Sequence, residues 1–79
     1  MMQHHRYATL SLLEQQGPLS TTEIAAHLGS RREAASMCLL RARRSSLAGF
    51  DRRAGLHFIS KRGRERLAWL REHSSGGSP

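Results

Sequence analysis

Two copies of one four-residue signature, separated by little more than a glycine, constrain this chain more than any other feature. Ser20-Thr21-Thr22-Glu23 and Ser30-Arg31-Arg32-Glu33 both read Ser-x-x-Glu. In this capping box the hydroxyl takes the amide three residues on and the carboxylate reaches back to the serine amide, so each copy predicts a helix start. Leu19 and Ile24 stand at the hydrophobic-staple positions of the first copy, which fixes the angle at which the chain enters that helix. The helix opened at Ser20 carries Ile24, Ala25 and Leu28 on one face and stops at Gly29 after about two turns. With almost no loop before the next helix, the pair must cross steeply.

A helix also precedes this pair. From His5 to Gln16 the residues Tyr7, Leu10 and Leu13 recur at helical spacing, widened by Ala8 and Leu12, and Gly17-Pro18 ends the run. In the helix opened at Ser30, Ala35, Cys38, Leu39 and Ala42 form an inner stripe, and Arg32, Glu33, Ser36, Met37, Leu40, Arg43 and Arg44 lie on the other side. Ser45, Ser46 and Gly49 then break the helical period. Two stretches with strand character, Leu47 to Arg52 and Leu56 to Ser60, flank an Arg53-Ala54-Gly55 hairpin tip. Either Leu56 with Phe58 or His57 with Ile59 turns inward. A last helix starts near Lys61 behind Ser60 and offers Gly63, Leu67 and Leu70 to the core, and the Ser, Gly and Pro of residues 74–79 predict a disordered tail. The order is helix, helix-turn-helix, hairpin, helix, in a single domain over residues 1–73.

The charge follows this order. The net +7 is not spread evenly: residues 30–66 hold eleven Arg or Lys against Glu33, Asp51 and Glu65, a local excess of +8, while the two flanks come to −1. Twelve of the thirteen bases are Arg, a choice that either the fit of its planar fork to phosphate and guanine edges or coding in a GC-rich genome accounts for. Coding does not explain the clustering, which marks a polyanion-binding surface, nucleic acid before an anionic membrane. A helix fits the major groove with its first turns at the base edges. That places Arg31, Arg32, Ser36, Met37 and Leu40 as candidate base contacts, with Arg for guanine and the apolar pair for thymine methyls. Arg41, Arg43, Arg44, Arg52, Arg53 and Lys61 are candidate phosphate contacts, joined by Thr21 and Thr22 at a helix N-terminus.

The segment Ser20 to Leu47, followed by Gly49-Phe50, Leu56 to Ile59 and Ser60-Lys61-Arg62-Gly63, resembles the small winged helix-turn-helix regulators of bacteria and their phages, over about residues 6–72. The step Ile59-Ser60-Lys61-Arg62-Gly63 is similar to the Leu-Thr-x-x-Gly run that leads out of the wing in MarR-like proteins. The resemblance implies an α+β, mainly α fold: a three-helix core, a two-stranded β wing and a C-terminal helix. It also implies operator binding in transcription, repression before activation. The long terminal helices of MarR-type dimers, the metal-binding runs of ArsR-type sensors and the wing cysteines of small iron-transport regulators have no counterpart here, so their oligomer, ligand pocket and cofactors do not carry over.

Other chemistry finds little footing. His4, His5, His27, His57, His73 and Cys38 show no ligand-like spacing beyond the adjacent pair. No phosphate loop, paired carboxylates or nucleophile set stands out. The expectation is a protein without metal or cofactor that is not an enzyme. A single cysteine and the lack of a long apolar run point to a cytoplasmic, nucleoid-associated protein rather than a membrane one. Trp69 either caps the core or, with Tyr7 or Leu12, makes a homodimer contact suited to palindromic DNA. The competing reading is an adaptor or inhibitor of phage or plasmid type that binds another protein through the same scaffold. RNA ranks third, since the basic face carries no aromatic residues for stacking.

Overall fold

The computed structural model describes the backbone of residues 2–76 and the side chains of residues 7–73. Four helices and one two-stranded antiparallel sheet make an α+β fold, mainly helical: α1 Met2–Gln16, α2 Thr21–Leu28, α3 Arg32–Arg44, β1 Ala48–Asp51, β2 Leu56–Ile59 and α4 Lys61–Gly76. Helix α1 starts before the expected His5. Helix α4 runs on through Ser74, Ser75 and Gly76, and the rest of the expected tail, 77–79, lies outside the described residues.

The connections follow from local chemistry. Gly17 takes a left-handed φ of +83° and its amide reaches the Leu13 carbonyl at 3.0 Å, closing α1. At Ser20 the capping box is complete: Ser20 Oγ accepts from the Glu23 amide at 3.1 Å, and Glu23 Oε1 accepts from the Ser20 amide at 2.9 Å. That second bond holds the Glu23 carboxyl below its ordinary pKa.

The second box does not form, which corrects the expected start of α3. The N-cap is Arg31, with no side-chain cap, and the Ser30 hydroxyl points to the Arg31 carbonyl. The reason lies upstream. Gly29, at φ +62°, ends α2 in a motif that bonds the Gly29 amide to the Ala26 carbonyl and the Ser30 amide to the Ala25 carbonyl. Ser30 is used up in finishing one helix and cannot also begin the next.

The same closing motif recurs without glycine at the end of α3. Ser46 takes φ +62°, its amide bonds the Arg43 carbonyl, and the Leu47 amide bonds the Ala42 carbonyl at 2.8 Å. Ser60 holds this turn from across the molecule: its hydroxyl donates to the Ser46 carbonyl at 2.7 Å and accepts from the Gly63 amide at 3.0 Å, while its own amide donates to the Leu47 carbonyl. One serine thus caps α4 and ties it to the end of α3.

Strand pairing runs Ala48 to Ile59, Gly49 to Phe58, Phe50 to His57 and Asp51 to Leu56. His57 and Ile59 are the buried residues of β2, which settles the face that alternation left open, and Phe58 lies outside across Gly49. The Asp51 carboxylate accepts from the amides of Arg53 and Ala54, and Gly55 at φ +68° returns the chain. An unexpected third line of backbone joins the hairpin: Leu19 and His57 exchange amide and carbonyl bonds of 3.0 and 2.7 Å. The segment leading into α2 is thus tied to β2 by a single bridge outside the two-stranded sheet.

Leu10, Leu13, Ile24, Leu39 and Leu67 meet in the middle with almost no exposure, joined by Leu19, Leu47 and Ile59. Each fully buried aliphatic side chain contributes about 1.5–3 kcal/mol. On the far side Arg71 of α4 pairs with Glu14 of α1 at 2.9 Å. Among the described residues no helix is long and apolar enough to cross a membrane.

Candidate nucleic-acid interface

The inner stripe of α3 is buried through Ala35, Leu39 and Ala42, with Cys38 half-buried, so the helical period forces the opposite side outward. Arg31, Arg32, Ser36, Met37, Arg41, Arg43 and Arg44 are exposed and Leu40 is half-buried. Beyond the end of α3, Arg52 and Arg53 stand exposed at the hairpin tip, and Lys61 is exposed at the start of α4. Among the described residues none of these bases is in an ion pair. The hairpin and α3 pack against each other, so the two groups of arginines stand on adjoining elements.

A relay of side chains sets that packing. His57 Nε2 shares a hydrogen bond of 3.0 Å with Thr21 Oγ1 at the start of α2. The ring lies 4.6 Å from that of Phe50, and the Arg43 guanidinium sits 5.5 Å above Phe50. Thr21, His57, Phe50 and Arg43 therefore link α2, both strands and α3. The sequence reading missed His57 in this role, because an alternating strand does not announce which of its faces turns inward. It also missed Phe50, an aromatic residue that does accompany the basic face. The Thr21 hydroxyl, expected at a phosphate, is engaged with His57, whereas Thr22 is exposed.

His57 is buried with Nδ1 unpartnered, and burial first, then the charge of Arg43, pushes its pKa below the ordinary histidine value. The native state therefore resists a proton that the unfolded chain accepts at about pH 6.5. Stability from this group is complete above that pH and falls as pH drops through the window beneath it, flattening once native His57 is itself protonated. Urea unfolding at pH 7.5 and 5.5 should show a loss at the lower pH that His57→Gln reduces. An identical loss in the variant contradicts this account of His57. The exposed Glu23 does not interfere, since carboxylates titrate at lower pH.

The three candidate dimer residues differ in setting. Tyr7 and Leu12 are partly buried against the core, while Trp69 is exposed on α4, stacked on His73 at 3.8 Å and approached by Arg66. Trp69 lines a shallow open groove with Arg62, Glu65 and Arg66. Among the described residues no group of three His, Cys, Asp or Glu could hold a metal ion. Compared with protein-family models, curated proteins and solved structures, the chain matches none.

Proposed function

We propose that the chain is a winged helix-turn-helix domain that binds double-stranded DNA and regulates transcription, as a repressor before an activator. Helix α3 enters the major groove and the β1–β2 hairpin is the wing. The observation that carries this reading is the set of exposed arginines on α3 and the hairpin, none in an ion pair among the described residues. Positive charge concentrated on one face repels itself unless a polyanion meets it. A helix of thirteen residues is about 20 Å long, enough to lie in a groove about 12 Å wide. Arg31 and Arg32 then stand at the base edges, and Arg41, Arg43, Arg44, Arg52 and Arg53 reach phosphates on either side.

With about five phosphates neutralised, log K falls with log salt at a slope of about −4.5, so affinity drops about 500-fold between 50 and 200 mM salt. Equilibrium binding to a random duplex and to the DNA upstream of its own gene, each across a salt series, tests this. A slope near zero on both duplexes contradicts it. A second reading, an adaptor that binds another protein, draws support from Phe58 and Trp69, both exposed, with Phe58 on the sheet face opposite Phe50.

A further inference from the structure

Glu33 is the one acidic residue of α3, and its carboxylate, in the first turn, meets the helix dipole but has no side-chain or backbone partner among the described residues. The capping box that would have employed it is not formed, because Ser30 completes the end of α2. Among the described residues the Glu33 carboxylate makes no hydrogen bond and no ion pair, despite its arginine neighbours. At 100° per residue, the direction opposite Ala35, Leu39 and Ala42 falls on Glu33, Met37, Leu40 and Arg44, with Arg32 and Arg43 toward the edges. Glu33 thus stands at the centre of the outward face, in the first turn, where a helix lying in the major groove comes closest to the bases.

A carboxylate in that position is selective. It only accepts hydrogen bonds, and phosphates repel it. Guanine offers acceptors at the major-groove edge, and thymine an acceptor and a methyl group. Adenine sets its amino group beside the acceptor N7, which opposes a second anionic oxygen. Cytosine presents its N4 amino group without such a neighbour. Resting on the reading that α3 enters the major groove, we infer that Glu33 is a specificity-determining residue that selects cytosine at one operator position through its N4 amino group.

The test is to sequence the duplexes that the full chain retains from a randomised pool, in parallel for the wild type, Glu33→Gln and Glu33→Ala. The wild type enriches cytosine at one position by about tenfold over the other bases. Glu33→Gln turns that position toward adenine, whose N6 and N7 suit a carboxamide, and Glu33→Ala flattens it, while every other position keeps its profile. Glu33 is exposed, so both variants keep the wild-type circular dichroism. If both variants bind all duplexes more tightly with an unchanged profile, the carboxylate merely repels phosphates and the assignment is overturned, with DNA binding intact. If the wild type retains no duplex at all, the DNA-binding reading itself fails, and this assignment with it.

Discussion

Replacing Gly63 with alanine lowers the thermal unfolding midpoint by roughly 10 °C. Gly63 is buried on α4, where the helix crosses the junction of α3 and β1. A Cβ there would run into the Leu47 carbonyl oxygen and come within 2.8 Å of Ile59 Cγ1. The obstacle is backbone and cannot rotate away. That carbonyl also accepts from the Ser60 amide at 3.1 Å, so pushing it aside disturbs the cap of α4. Overpacking costs about 1–3 kcal/mol and the weakened hydrogen bond about 1 kcal/mol, against about 1 kcal/mol gained in helix propensity. The net loss is about 2 kcal/mol, and each kcal/mol moves the midpoint of a domain this size by about 4–8 °C. Arg64→Ala, one residue further along α4 and exposed, stays within about 0.5 kcal/mol of the wild type. Melting followed by far-UV circular dichroism separates the two, and equal midpoints would mean that α4 does not rest on Leu47.

On the proposed DNA-binding reading, the double substitution Arg41→Gln, Arg44→Gln is expected to weaken duplex binding on the order of 30-fold at 0.15 M salt and to make the salt slope shallower by about 2. Both side chains are exposed near the C-terminal end of α3 and neither is in an ion pair, so the fold loses little. Each phosphate contact removed takes about 0.9 from the slope, and two such losses scaled from 1 M to 0.15 M salt give the 30-fold factor. The loss is uniform across duplex sequences, because phosphates carry no sequence information. A titration of wild type and variant on one duplex reads both quantities. An unchanged slope would remove these arginines from the phosphate contacts.

What the sequence disclosed follows the range of the interactions involved. The Ser20 box was legible because all its atoms lie within four residues, and the burial of Ala35, Leu39 and Ala42 because a 3.6-residue period needs no partner to be seen. Ser30 misled because two local signals overlapped on it, and the closing motif of α2 won. The Leu19 to His57 bridge joins segments far apart in the chain, so nothing near either residue announces it. His57 and Ile59 alternate with Leu56 and Phe58, and a strand with apolar residues on both faces does not declare its inner side. The exposed arginines of α3 and the hairpin were all legible. The relay of Thr21, His57, Phe50 and Arg43, which links the elements bearing those arginines, was not, because it crosses four elements.

The central claim is that α3 and the hairpin together form the DNA-binding face, and amide chemical-shift changes on titrating a labelled chain with a short duplex test it most directly. The account predicts that the largest changes fall on Arg31 to Arg44 and on Phe50 to Gly55, and that they shrink as salt rises. Changes concentrated on α4 from Arg62 to Trp69, or no changes at low salt, would contradict it.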